Sequence, residues 1–288
     1  MINALLSALA LLVLLFQSGC KPPSEEEREN LTVAVSILPQ KYFVEKIAGD
    51  SINIVVVVPP GANPATYEPS PSDMRNMSSA DVWLTIGVAF ESPWIPRFTG
   101  SNPGLRIRST IENIERLPID RYTVTGHETS GHHGHGSGSP DPHVWLSPEL
   151  VRSQAALICE ELSLIESARA DEYMANLNTF YTEIDSLQST IQVLIDPLPS
   201  RSFIVFHPAW GYFADEFDLI QIPIETAGSE PSPREMSLLI DYACENDVSA
   251  VFVSPQFSTS SAASIAAEIG VGVSYIDPLA EDWSSNLL

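Results

Sequence analysis

The side chains best suited to chemistry are histidines, and their spacing separates them into two kinds. All six fall between positions 127 and 207. His127, His132, His133 and His135 lie in GHETSGHHGHGSGSPDP, a Gly/Ser-rich stretch with no helical or strand periodicity. Short His-rich tracts gather borderline metals, zinc foremost. So flexible a tract holds no fixed geometry, which predicts an auxiliary collector rather than a rigid site. The two other histidines are embedded in ordered patterns. His143 stands in DPHVWLSP, just ahead of a helix start with Ser147 as N-cap and Pro148 at N1. His207 ends the apolar run SFIVFH, and Asp277 ends another, VSYID. The carboxyl ends of parallel strands are where α/β sheets place ligands. A His and an Asp at two such ends form a candidate half-site for a divalent cation.

The elements that must position these groups alternate between strand and helix. Leu31–Ile37, Ile52–Val58, Asp81–Gly87 and Leu105–Ser109 read as strands, with helices over 40–48 and 72–80 between them. The alternation recurs with strands Ser202–His207, Ser249–Ser254 and Gly272–Ile276 and helices Ser232–Glu245 and Ser258–Ile269. Parallel βαβ units with both sheet faces covered follow from it. Ser232, Pro233 and Glu235 form a capping box with proline in the first turn. Between the two halves, Tyr173, Leu177, Phe180, Ile184, Leu187, Ile191 and Leu194 recur every three or four residues. This predicts one helix over 168–195, about 40 Å long, a rod that spans two lobes.

The remaining composition narrows the function classes. With 37 acidic against 14 basic residues the formal charge is −23, which disfavours nucleic acid, because phosphate binding needs a basic face. A negative surface suits small cations or a basic partner. Residues 1–20, MINALLSALALLVLLFQSGC, are apolar from Ala4 to Phe16, too short to span a bilayer and typical of a secretory signal. The ending Ser18-Gly19-Cys20 resembles the lipobox of bacterial lipoproteins, in which the cysteine becomes the acylated first residue. The acidic, Pro-containing KPPSEEEREN that follows reads as a tether. Cys159 and Cys244 are expected as two free thiols. Cys244 shares a helical face with Met236, Leu239 and Ile240, which predicts burial.

Five stretches carry a family resemblance: PPGANPATYEPSPSDM (59–74), DPHVWLSPE (141–149), FHPAWGYFADEF (206–217), EPSPREM (230–236) and YIDPLA (275–280). With the lipoprotein signal, the His-rich loop and the central helix, they resemble the metal-specific solute-binding lipoproteins of bacterial ABC transporters, of the zinc/manganese type. The resemblance implies an α/β protein of two lobes, each a parallel sheet flanked by helices. One long rigid helix joins them, and the metal lies in the interlobe cleft. Its parts would be a signal peptide over 1–19, a lipid-anchored tether over 20–30 and an N-terminal lobe over 31–166 carrying the His-rich loop 127–139. The connecting helix would cover 167–196 and the C-terminal lobe 197–288.

The resemblance further implies four metal ligands, three His and one carboxylate. DPH supplies His143, FHP supplies His207 and YIDPLA supplies Asp277. The fourth is the His of a G-x-x-P-H-x-Y-E pattern, and Ala65 stands there between matching Gly61, Pro64, Tyr67 and Glu68. Water, Glu68 or a loop histidine could complete the sphere, or the site has decayed. An imidazole at FHP and the His-rich loop favour Zn²⁺ over Mn²⁺. The expected protein is exported, anchored through Cys20 and otherwise free of the membrane, a monomer that binds no nucleic acid. It delivers zinc to a membrane permease served by a separate ATPase, since the chain lacks a GxxxxGK[ST] loop. The alternatives are a manganese-type binding protein, a zinc buffer or chaperone that never docks on a permease, and a zinc hydrolase using the open coordination position.

Overall fold

The computed structural model describes residues 30–119, 140–225, 228–248, 250–257 and 259–288. The signal, Cys20, the tether through residue 29 and the His-rich loop with His127, His132, His133 and His135 lie outside the described residues.

The first sheet contains β1 (Thr32–Val35), β2 (Asn53–Val56), β3 (Val82–Thr85) and β4 (Arg106–Ser109), all parallel, in the order β2-β1-β3-β4. Every residue of β3 is buried, as are Val33, Ala34 and Val35 of β1, because helices cover both faces. These are α1 (Leu38–Ala48), α2 (Pro71–Met77) and α3 (Glu91–Ser101). α1 turns Phe43, Val44 and Ile47 inward and ends at Gly49, whose φ of +66° takes the chain out of the helix. α2 starts on Ser70, with Pro71 at N1 and Asp73 completing a capping box. α3 escapes prediction because Pro93 and Pro96 interrupt its helical pattern. Pro93 falls in the first turn, where no N–H is needed, and the lost bond at Pro96 is offset by Phe98, buried edge-on against Trp83 at 5.2 Å.

Two long helices follow, α4 (Pro148–Ile165) and α5 (Ala170–Ile195). Ser147 caps α4 by accepting from Leu150 N (3.1 Å). α5 has 26 residues, about 39 Å at 1.5 Å each. Its early turns hold α1, through Asn176 Nδ2 to Ile47 O (2.9 Å) and the Lys46–Glu183 ion pair (2.6 Å).

The second sheet repeats the first: β5 (Ser202–Val205), β6 (Ile220–Pro223), β7 (Val251–Val253) and β8 (Val273–Tyr275), parallel, ordered β6-β5-β7-β8. Its helices are α6 (Gly211–Glu216), α7 (Pro233–Glu245) and α8 (Ser260–Ile269), followed by the short α9 (Trp283–Asn286). Gln188 of α5 donates to Glu216 of α6 (2.8 Å), so the long helix serves both sheets. Ile204, Ile222, Leu239, Val251 and Ile265 form the core here. β6 was not expected from the sequence: IQIP is short, and its proline is tolerated because β6 lies at the sheet edge. Both described cysteines are free. Cys159 is buried, but Cys244 is exposed, contrary to expectation. α7 buries Leu239 and Ala243, and a further 100° of helical rotation carries position 244 out to solvent.

The C-terminal segment fastens the two halves together. Trp283 of α9 packs edge-on against Phe43 of α1 (5.2 Å), and its Nε1 donates to Trp145 O (2.6 Å). Tyr42 Oη bonds Ser284 Oγ (3.0 Å), and Lys41 pairs with Glu281. Among the described residues, no helix is long and apolar enough to cross a membrane.

Candidate metal centre

In an order such as β2-β1-β3-β4 the loops diverge at the carboxyl ends of the two central strands, leaving a crevice. The segments beyond β2, β3, β5, β7 and β8 all reach one cavity of about 120 Å³, with Ala65, Val88, His143, His207, Gln256 and Pro278 among its walls. That volume has room for a cation with several waters.

His207 lies two residues beyond the end of β5 and is followed by Pro208, which has no N–H to extend the ladder. Pairing of β5 with β6 runs from Ser202↔Ile220 to Val205↔Pro223. Continued two residues, this register sets His207 opposite Glu225, and Nδ1 lies 2.8 Å from Glu225 Oε1. The Glu225 side chain is only 8% exposed. The ring stacks on Phe257 at 4.9 Å. His143 is held by a tight local turn: Asp141 Oδ1 accepts from both His143 N (2.9 Å) and Nδ1 (2.6 Å). Tyr212 of α6 donates to Asp141 O (2.9 Å), fixing that turn to the second half of the chain.

Each imidazole therefore has a carboxylate at Nδ1, which makes Nδ1 the donor and leaves the Nε2 lone pair facing the cavity. The two Nε2 atoms face each other at 3.3 Å. Two lone pairs so close repel unless a cation lies between them. Burial pushes the His143 pKa down, against the pull of Asp141, and His207 adds to the downward shift. The lone pair is thus available at neutral pH, and a metal does not have to displace a proton from it.

Asp277 is placed differently. It follows β8 at the same end of the sheet, but its Oδ1 accepts from Gln256 Nε2 (2.7 Å) and Leu279 N (2.9 Å). Gln256, not Asp277, lines the cavity. Among the described residues, no three His, Cys, Asp or Glu side chains converge as a ready metal site. The structure brings together His143 and His207 and seats Asp277 behind Gln256. Ala65 lies on the cavity wall, its N–H donating to Asn63 Oδ1 (2.8 Å). Glu68 is exposed and is not among the cavity walls. Its neighbour Tyr67 donates to Asp73 Oδ2 (2.7 Å), and burial followed by that carboxylate raises the phenol to about 12.

Sequence reasoning missed Asp141, Glu225 and Gln256. Asp141 had a signal, the D-x-H spacing that allows a carboxylate to reach back to the ring. Glu225 could be found only through the unpredicted β6.

The cavity wall at 86–90 rests on buried Glu91. Its Oε1 accepts from Ser36 Oγ (2.5 Å) and Ile86 N (2.8 Å), and Oε2 accepts from Gly87 N (2.7 Å). Gly87 has φ +85°, and a Cβ there would come within 2.6 Å of Ile111. Burial raises Glu91 from 4.5 to about 6 despite these hydrogen bonds and Arg116. The folded state therefore holds this proton more tightly than the unfolded chain. The resulting stability is fully present below pH 4.5 and lost as pH rises through 6. The difference is about 2 kcal/mol. Urea unfolding of wild type and Glu91→Gln across pH 4–7 should show wild type losing that amount relative to the variant; parallel pH profiles would contradict the shift.

Two parallel sheets of identical order, joined by one long helix with paired imidazoles at their carboxyl ends, define a cleft-type metal-binding protein. The profile of the family described as "Zinc-uptake complex component A periplasmic" matches residues 33–286, and the chain belongs to this family. It is thus an extracytoplasmic metal-binding component of an uptake system and not an enzyme. It is similar to the crystal structure of ZnuA, at 42% identity and a TM-score of 0.81 over 90% of this chain and 95% of that one. Among curated relatives, the high-affinity zinc uptake system protein ZnuA of Bacillus subtilis is 25% identical over 91% of this chain and 82% of its own. The manganese-binding lipoprotein MntA of Halalkalibacterium halodurans is 26% identical over 93% and 86%.

Proposed function

We propose that this chain captures Zn²⁺ between His143 and His207, with Asp277 as the carboxylate of the site, and delivers it to the permease of an ABC transporter. The supporting observation is the pair of Nε2 atoms facing at 3.3 Å, each with a carboxylate at its other nitrogen. Imidazole donors favour zinc over the manganese that the name of the MntA relative records. In this reading residues 1–19 are removed and Cys20 carries the lipid anchor of a monomer. Residues 31–166 and 197–288 form the lobes about the 167–196 helix, and the 127–139 loop gathers metal for the cleft. Calorimetric titration tests the core of the reading: one tight zinc site per chain is expected, with manganese weaker. Absence of a tight site, or tighter manganese, would overturn it.

The position of Ala65 yields a sharper test. The loop carrying it is already fixed by Asn63, by the Tyr67–Asp73 bond and by the Ser70 cap. Ala65→His should add a third imidazole and tighten zinc binding about tenfold, roughly 1.4 kcal/mol. Glu68→Gln should leave affinity within twofold, because Glu68 is exposed. No gain in the first and a large loss in the second would make Glu68 the ligand.

A further inference from the structure

His207 is the more loosely held of the two imidazoles. Asp141 grips His143 at both N and Nδ1, and the His143 side chain is 11% exposed. The His207 ring has one carboxylate contact, Nδ1 to Glu225, and its side chain is 21% exposed. One hydrogen bond fixes an atom of a ring but leaves the plane free to turn about it. That plane is set by Phe257, whose ring stacks on His207 with 4.9 Å between centroids and 25° between planes. His143 has no such face against it: Trp145 is tilted at 59°, and His207 itself meets it edge-on at 74°.

Phe257 is placed by contacts of its own. Its N–H donates to Ser254 O (3.2 Å) in the turn that follows β7. Its ring packs on Phe206 (5.4 Å) and against the core of the second sheet. It also borders the cavity that His143 and His207 share. The histidine therefore leans on a fixed surface.

The stack also carries an electrostatic consequence. An aromatic ring is negative on its face and positive at its edge. With Nδ1 as the donor, the free His207 ring is neutral. Once Nε2 gives its lone pair to a divalent cation, the ring takes on part of the positive charge. Face-on contact with Phe257 then becomes a cation–π interaction in a partly desolvated place. Contact that strengthens when the ion binds raises affinity, whereas contact equal in both states would not.

We infer that Phe257 is a positioning residue of the metal centre: it sets the plane of the His207 ring and favours that ring's metal-bound form, tightening zinc capture without touching the ion. This rests on the zinc-capture reading above and deepens it. A leucine at 257 would still be apolar and would still keep water off the ring, but it offers no π face. Comparing leucine with tyrosine therefore separates an aromatic role from a merely water-excluding one.

The test uses Phe257→Leu and Phe257→Tyr in the full mature chain, with zinc affinity from chelator competition and dissociation rate from chelator chase. Phe257→Leu should weaken zinc about tenfold, and the loss should appear as faster dissociation. Phe257→Tyr keeps the face and should stay within threefold of wild type. In a His207→Ala background no ring remains to stack on, so adding Phe257→Leu should change the residual affinity less than twofold. Wild-type affinity in Phe257→Leu, an equal loss in Phe257→Tyr, or a tenfold loss that persists without His207 overturns the assignment alone. Failure of the wild-type chain to bind zinc overturns the capture reading and this assignment with it. Urea unfolding of each metal-free variant checks that it folds. Should Phe257→Leu not fold, a zinc-bound crystal structure of the wild-type chain decides: rings still stacked support the assignment, and rings parted on metal binding refute it.

Discussion

Zinc affinity should fall at least a hundredfold, about 2.7 kcal/mol, when either His143 or His207 is replaced by alanine. Each substitution removes one of the two imidazoles that face each other at 3.3 Å. It also leaves a carboxylate behind the site without its ring partner, Asp141 in one case and Glu225 in the other. The remaining imidazole cannot compensate, because its own carboxylate fixes its orientation and the cavity walls come from several separate segments. The two losses are not additive: a single variant already destroys the pair, so His143→Ala/His207→Ala should bind little more weakly than either alone. Competition titration against a chelator of known zinc affinity measures all three. A single variant within threefold of wild type would show that the facing pair is not the site.

The sequence made the strands of the core legible because runs such as TVAV and VWLT are apolar on both faces, and parallel strands covered by helices on both sides must be. The long helix was equally plain, its stripe lasting from Tyr173 to the last turn. What failed to show were elements whose local signal is weak and whose place is set by tertiary context. α3 carries prolines that packing against Trp83 outweighs, and β6 is four residues ending in proline at a sheet edge. Missing β6 had a direct cost, since the β5–β6 register alone puts Glu225 behind His207. His143 and His207 stood out because one precedes a capped helix, the other ends an apolar run, and both lie in stretches that carry the family resemblance. Gln256 was not: an amide in SPQFS has no chemical signature until Asp277, 21 residues on, is seen to hold it.

The largest stability effect should come from Trp145, which sits two residues from His143 and is 1% exposed. Its Nε1 donates to Pro278 O (2.7 Å), joining the segment that carries His143 to the one that carries Asp277. Its own carbonyl accepts from Trp283 Nε1, and Trp283 in turn packs against Phe43 and Tyr42 on the first half of the chain. One indole thus links the two sides of the metal cavity. Trp145→Ala should cost about 3–5 kcal/mol in urea unfolding of the metal-free protein, as expected when a large buried aromatic is removed. Trp145→Phe keeps most of the buried area but leaves Pro278 O without its donor, which predicts a smaller loss of about 1–3 kcal/mol. If the indole also sets the spacing of the site, Trp145→Phe should weaken zinc binding even under conditions where the variant is fully folded. A loss below 1 kcal/mol for Trp145→Ala would mean that the other links between the halves, among them Trp283, the Lys41–Glu281 pair and the Tyr42–Ser284 and Tyr212–Asp141 hydrogen bonds, suffice without it. Unchanged zinc affinity in Trp145→Phe would mean that Asp141 and Tyr212 suffice to place His143.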